Sequence, residues 1–171
     1  MTLAWVVVIL MVGANALYVA AEFALVAVPR RQVAQRAREG STRARELKAL
    51  LDNGVARDRA IAACQVGITL ASLLVGAWGQ ATIGVALAAF LQRQGLEAAT
   101  AISAAAVAVL VGLTTIQVVL GELLPKSIAL QFPLETAMWV VLPLRLSTTL
   151  FRPIITVLNG SALLLLRPFG I

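Results

Sequence analysis

The stretch that decides the fold is residues 118–130, VVLGELLPKSIAL, where a hydrophobic run is interrupted by Glu122, Pro125 and Lys126. Pro125 has no N–H and its ring crowds the preceding turn, so the carbonyl of Gly121 loses its helical donor. Glycine at position 121 lets the backbone bend without a side chain in the way. We therefore predict a helix break here that leaves the Gly121 carbonyl bare beside the Glu122 carboxylate. The alternative is that Pro125 only ends the apolar segment and Lys126 marks its boundary with water.

The composition indicates a membrane-embedded chain. Of 171 residues, 60% are hydrophobic and 13% are charged, and the mean hydropathy is +0.92. A single cysteine, Cys64, excludes an intramolecular disulfide, and the absence of histidine removes the commonest ligand of zinc, copper and nickel. A bound metal should therefore be a hard cation held by oxygen atoms. The net charge of +6 does not indicate a nucleic-acid partner, because the few aromatic residues are scattered within apolar runs.

Three apolar segments are long enough to cross a bilayer, and together they predict an all-α integral membrane domain. The first, 3–28, would rise about 39 Å as a helix, against a hydrocarbon core of about 30 Å. The second, 60–90, contains four glycines, so we predict a span over about 60–80, then a bend and a shorter helix. The third begins at residue 98 and ends at about residue 124, in the GELLPK stretch.

We predict that juxtamembrane helices fill the rest of the chain, over about 29–59 and 127–171. In the C-terminal segment, prolines and charged residues leave no uninterrupted apolar stretch of about 20 residues. Its aromatic residues Trp139, Phe151 and Phe169 are typical of helices that lie along a membrane surface. The alternative is a fourth span around 136–158.

The distribution of positive charge predicts the orientation. The link 29–59 carries nine Lys and Arg residues against four acids, whereas the link 92–97 carries only Arg93 and Glu97. By the positive-inside rule, the 29–59 loop is cytoplasmic and the N-terminus is outside. With three spans, thirteen of the fourteen basic residues lie on the cytoplasmic face, which favours three spans over four. We expect the 29–59 segment to be a helical connector that touches anionic lipid headgroups.

Two acids, Glu22 and Glu122, lie within or at the inner end of apolar runs. Each would cost about 2.5–3.5 kcal/mol at a helix centre, so each should have a partner or a function unless it reaches water near the boundary. On the first span Asn15 lies seven residues before Glu22 and shares its face, as Thr115 does with Glu122 on the third. The second span carries one stripe of small or oxygen-bearing residues at helical spacing, for which routine helix packing is the alternative: Gln65, Thr69, Ser72 and Gly76.

A row of small residues on the third span suggests where two copies could meet. Ala104, Ala108 and Gly112 recur every four residues, a spacing that lets two helices approach closely. The alternative is chance, since the segment is rich in alanine.

Three motifs carry a resemblance to a known family. In order and spacing, NALYVAAEFALVAVPRRQV (15–33), CQVGITLASLLVGAWGQ (64–80) and VVLGELLPKSIALQFP (118–133) resemble the DUF21 transmembrane domain of the CorC/CNNM (cyclin M) magnesium transporters. The resemblance covers essentially the whole chain. It implies three spans with a cytoplasmic belt of juxtamembrane helices, a homodimer in the bacterial inner membrane, and magnesium export. Sodium is the coupling ion commonly described for the family.

The resemblance also implies roles for individual residues. Gly121 and Glu122 fall in the coordinating positions of the third span. Thr69 and Ser72 fall where many family members have Asn or Ser, and Glu22 takes the acid position of the first motif. Members often carry Ser around positions 19 and 21, where this chain has Val and Ala, so the first span is left with Asn15, Glu22 or backbone oxygens.

The sequence therefore predicts a magnesium transporter whose ion is bound between the three spans near Gly121 and Glu122. Oxygen ligands alone select a hard cation, and the choice of magnesium over calcium, manganese or sodium rests on the resemblance. A membrane anchor for a cytoplasmic domain is the alternative. An enzyme is not expected, because the sequence has no histidine, no G-x-S-x-G motif and no Cys paired with a base. The family's CBS pair and transporter-associated domain would follow residue 171, so we expect an isolated membrane domain.

Overall fold

The computed structural model describes residues 2–166, which form helices joined by short turns. Two of the long helices contain a π-helical segment. These segments are Gln80–Gly84 and Gln117–Leu123. The α-helices, in chain order, are α1 (Thr2–Ala27), α2 (Arg30–Arg38), α3 (Thr42–Asp52), α4 (Gly54–Gly79), α5 (Val85–Arg93), α6 (Ala98–Ile116), α7 (Leu124–Gln131), α8 (Pro133–Leu150) and α9 (Arg152–Leu166).

Among the described residues, three helices are long and apolar enough to span a membrane. They are Thr2–Ala27, the continuous 40-residue run Gly54–Arg93 and the continuous 34-residue run Ala98–Gln131. This confirms the predicted all-α membrane fold. The predicted alternative of a fourth span falls on α8 and α9, which bend by 66° at their junction and would form a span only if taken together. The predicted interfacial residue Phe169 lies outside the described residues.

Two predicted boundaries differ from the structure. The glycines of the second segment do not separate a span from a shorter helix, because the π-helical segment Gln80–Gly84 carries the helix through to Arg93. The predicted 29–59 connector ends early, because residues 54–59 already belong to α4. The start of α4 is capped by Asn53, whose Oδ1 accepts a hydrogen bond from the Ala56 N–H at 3.1 Å.

The predicted helix break at Pro125 is wrong in form. Helical structure continues from Ala98 to Gln131, and the turn before Pro125 widens into the π-helical segment Gln117–Leu123. A π-helical turn pairs each N–H with the carbonyl five residues back. It therefore tolerates the absence of an N–H at proline. The proline therefore changes the register of the helix without ending it.

The structure contains two compact units. The first comprises residues 2–19 and 68–127, which are the N-terminal part of α1, the C-terminal part of α4, and α5 and α6 with their π-helical segments. Gly79 allows close approach of α4 and α6, because a Cβ there would lie 2.0 Å from Leu113 Cδ1. The buried apolar core of this unit consists of Ala4, Val8, Val12, Val75, Ile83, Val109 and Leu113.

The second unit comprises residues 20–67 and 128–166. Here α3 packs against α2 and α8, and its buried face includes Leu47 and Leu51. Ser41 caps α3 by accepting a hydrogen bond from the Ala44 N–H at 3.3 Å. The guanidinium of Arg43 lies 5.7 Å from the ring centroid of Trp139, a cation–π contact between α3 and α8.

Candidate functional site

A chain of hydrogen bonds in the first unit joins three helices at the π-helical segment Gln117–Leu123, which we call the Gly121 turn. Asn15 of α1 donates from Nδ2 to the Gly121 carbonyl at 2.9 Å. Ser72 of α4 donates to Asn15 Oδ1 at 3.3 Å, and Gln117 donates from Nε2 to Ser72 Oγ at 3.2 Å. Asn15 is fully buried and Gln117 is 7% exposed. The network therefore holds four polar groups away from the surface.

The Gly121 carbonyl is the group that the sequence predicted to lose its donor. The structure does not leave it bare, as predicted, because Asn15 supplies a side-chain donor in place of the missing Pro125 N–H. Glycine also suits the packing at position 121, because a Cβ there would lie 3.0 Å from Asn15 Nδ2 and 3.3 Å from two side-chain atoms of Gln117, which would have to move slightly. The glycine thus permits both the turn and the close approach of two amides.

Gln117 is a site residue that the sequence interpretation missed. The seven-residue spacing used on this span paired Glu122 with Thr115, but Thr115 is exposed and donates to its own helix at the Val111 carbonyl. A spacing of four residues from Gly121, which is the ordinary spacing on one face of an α-helix, would have identified Gln117. Gln117 Oε1 is buried and has no hydrogen-bond partner among the described residues. An unpaired buried acceptor of this kind is costly unless it meets a donor or a cation.

A cavity of about 250 Å³ adjoins the network within the first unit. Ser72 and Gln117 line it together with Glu122, whose carboxylate is exposed. Gly76 and Gln80 continue the lining along the second span. The cavity is therefore lined by a carboxylate, a hydroxyl group and an amide.

The other predicted ligands lie elsewhere. Thr69 is exposed and does not line this cavity, and Gln65, from the same predicted stripe, is also exposed. The stripe is thus divided, since only Ser72 and Gly76 face the cavity. Glu22 is half-buried in the second unit, and its role as an ion ligand stays a prediction.

The chemistry of the site is that of oxygen donors. Asn15 Oδ1, Ser72 Oγ, Gln117 Oε1 and the Gly121 carbonyl all carry lone pairs that a cation could use. Among the described residues no cluster of three or more Asp, Glu, Cys or His side chains is found. This donor set suits a hard cation such as Mg²⁺ or Na⁺ and gives no thiolate or imidazole for a softer metal.

Comparison with known proteins identifies the family. A family model described as the cyclin M transmembrane N-terminal domain matches residues 5–171. Similar curated proteins include UPF0053 protein YhdT of Bacillus subtilis, which is 36% identical over 94% of this chain and 34% of its own length. UPF0053 protein sll0260 of Synechocystis is 35% identical over 92% of this chain and 34% of its own length. This chain thus spans about a third of the length of these two relatives. The resemblance found in the sequence is confirmed: the chain is a multi-pass membrane protein that belongs to the cyclin M (CNNM, DUF21) family of transmembrane domains.

Proposed function

We propose that this domain transports Mg²⁺ across the membrane, with the ion held by oxygen atoms at the Gly121 turn. The observation that carries the proposal is the buried network of Asn15, Ser72 and Gln117 around the Gly121 carbonyl, with one acceptor, Gln117 Oε1, left unpaired. Such a set of preformed oxygens at membrane depth is expensive unless it has a function.

The proposed ion would replace the hydrogen bonds that now hold the network together. Rotation of the Gln117 amide would turn Oε1 toward the ion, while the Gly121 carbonyl and Ser72 Oγ would supply further ligands. The exposed Glu122 carboxylate beside the cavity would attract the cation and neutralise part of its charge. Mg²⁺ demands about six ligands at 2.0–2.1 Å, so water or further protein oxygens would complete the shell.

Transport would follow from helix rocking that opens the site to one face and then the other. We propose export, with Na⁺ binding to the Glu122 carboxylate in the outward-facing state. We also propose a bacterial inner-membrane location with the N-terminus outside, which the excess of basic residues in 29–59 supports. Transport is preferred to catalysis because the sequence has no histidine to act as a base.

The test is isothermal titration of Mg²⁺ into the detergent-purified protein and its Glu122→Gln variant, with Ca²⁺ and Na⁺ as competitors. We expect saturable binding in the wild type and a loss of at least about tenfold in the variant, the scale of one charge-assisted contact. Glu97→Gln is the matched control, because Glu97 precedes α6 and lies outside the cavity. It should bind as the wild type does.

Two results would contradict the proposal. One is a folded wild type that fails to bind Mg²⁺, and the other is equal binding by wild type and Glu122→Gln together with full transport in liposomes. Either result would favour the alternative, a membrane anchor for a cytoplasmic domain. The anchor predicts that apolar replacement of Glu122 and Pro125 leaves the protein unaffected.

A homodimer is part of the proposal. The row of Ala104, Ala108 and Gly112 lies on α6, and Ala104 and Ala108 line an open groove at its surface. A single cysteine introduced by Ala108→Cys in a Cys64→Ala background should form a disulfide-linked dimer in membranes if this face is the interface. Val118→Cys, an exposed position on the same long helix, is the control. Efficient crosslinking at residue 118 and none at residue 108 would assign the interface elsewhere.

A further inference from the structure

A second cavity lies within the second unit, among α3, the start of α4 and α8. Its volume is about 390 Å³. One side is apolar, formed by Ala49, Leu50, Val141 and Leu144. The other side carries charged and hydroxyl groups, from Glu46, Arg59, Arg145, Thr148 and Thr149. The cavity is therefore amphipathic.

The charged groups of this cavity are incompletely paired. Arg145 Nη1 lies 3.4 Å from Glu46 Oε1, whereas Glu46 Oε2 is buried and has no hydrogen-bond partner in the described part of the chain. Arg59 is exposed, and it forms no ion pair within residues 2–166. One guanidinium is thus exposed without an ion pair, and one carboxylate oxygen is buried without a hydrogen-bond partner, within the part of the chain that the structure describes.

The hydroxyl groups add acceptors rather than donors. Thr148 and Thr149 each donate to the Arg145 carbonyl, at 2.8 and 3.0 Å, so only their lone pairs face a ligand. The cavity therefore offers two guanidinium groups for an anion, and a carboxylate oxygen with hydroxyl oxygens for a hydrogen-bond donor.

We propose that this cavity binds the headgroup of a phospholipid that carries a phosphodiester and a primary ammonium, the chemistry of phosphoethanolamine. Arg59 and Arg145 bind the phosphate, because guanidinium groups match phosphate geometry. The ammonium donates hydrogen bonds to the threonine oxygens and to Glu46 Oε2, which is buried in the free protein and becomes accessible when the carboxylate rotates toward the cavity. The apolar side receives the glycerol and the first methylenes of the acyl chains.

The position of Arg59 along the chain supports a lipid as the source. It lies one residue before the apolar run that begins at Ala60, which is the depth of the headgroups when that run crosses the bilayer. The neighbouring Arg43–Trp139 pair on α3 and α8 is of the kind found at membrane interfaces. A basic pocket at the end of a span is a known form of headgroup site.

The test is native mass spectrometry of the detergent-purified protein titrated with phosphatidylethanolamine, phosphatidylglycerol or phosphatidylcholine. We expect the wild type to retain phosphatidylethanolamine preferentially, because phosphatidylcholine has no N–H to donate and phosphatidylglycerol has no ammonium. Arg59→Gln should weaken retention about tenfold, and it breaks no ion pair of the protein. Arg57→Gln is the matched control on the same helix, because Arg57 pairs with Asp58 and does not line the cavity.

A second variant and a soluble probe complete the test. Glu46→Gln should remove the preference for phosphatidylethanolamine over phosphatidylglycerol while leaving retention of the latter. If soluble O-phosphoethanolamine displaces the lipid at similar concentrations, the site stands and its ligand is the free compound; if it does not, the ligand is the lipid. Equal retention by wild type and Arg59→Gln, or an equal loss in Arg57→Gln, would overturn the proposal.

Discussion

Replacing Asn15 with leucine tests the hydrogen bond on which the Gly121 turn depends. The Asn15 side chain is fully buried, and its Nδ2 is the donor that the Gly121 carbonyl receives at 2.9 Å. Leucine is apolar and of comparable size, so Asn15→Leu fills the space but leaves the Gly121 carbonyl without this donor. Ser72 loses its acceptor as well, although its hydroxyl can turn to its own helix.

The size of the effect follows from the cost of removing one side-chain donor from a buried carbonyl. That cost is about 1–3 kcal/mol in proteins generally, while hydrogen bonds inside membrane proteins contribute about 0.6 kcal/mol on average and up to about 1.7. We therefore expect Asn15→Leu to lower the free energy of unfolding by about 1–2 kcal/mol. For a chain of this length that corresponds to a fall in melting temperature of about 2–8 °C.

The assay is thermal unfolding in detergent, followed by tryptophan fluorescence in the absence of Mg²⁺. Thr115→Val is the matched control, because it removes an exposed hydroxyl that bonds only its own helix, and its effect should stay below about 0.5 kcal/mol. If Asn15→Leu melts at the same temperature as Thr115→Val, the carbonyl does not need Asn15 and the account of the turn is wrong. In the same variant, Mg²⁺ binding should weaken if Asn15 Oδ1 is a ligand.

Two further predictions concern glycines. Gly121→Ala brings a Cβ to 3.0 Å from Asn15 Nδ2, so we expect it to disturb the network and weaken Mg²⁺ binding about tenfold by titration, whereas Gly13→Ala, with nothing within 4 Å, should bind normally. Gly79→Ala forces Leu113 Cδ1 to move, and the steric cost of about 1–3 kcal/mol is offset by about 1 kcal/mol of alanine helix propensity, so we expect a net loss of up to about 2 kcal/mol in thermal unfolding. Adding Leu113→Ala should make the Gly79→Ala change less costly; additive losses would contradict the steric explanation.

Much of the site's chemistry could be predicted from the sequence, because it depends on residue type and local covalent structure. Pro125 lacks an N–H in any fold. The loss of a donor to the Gly121 carbonyl was therefore predictable from the four-residue separation of Gly121 and Pro125. Asn15 was a candidate because it shares a helical face with Glu22, and Ser72 was a candidate because it belongs to the polar stripe of the second span. What that reasoning could not supply was the identity of the partners, which lie 45 to 106 residues apart along the chain.

The errors on the third span have one physical cause. Spacing rules for an α-helix place residues seven apart on one face, and the π-helical segment Gln117–Leu123 changes that register. Thr115 was therefore given a face that it does not share with the site. The prediction of a break at Pro125 failed for the same reason. The π-helical turn changes the hydrogen-bond spacing, so the helix continues although Pro125 has no N–H.

Composition and hydropathy specify the class of the protein, the three apolar segments that can span a membrane and the lack of imidazole groups, because none of these depends on packing. Only the tertiary structure decided that Asn15, Ser72 and Gln117 meet at the Gly121 carbonyl and that Glu46 keeps one buried oxygen beside Arg145. Those contacts join helices that are distant in the chain, and their geometry follows from how side chains pack between them, which periodicity along one helix does not specify.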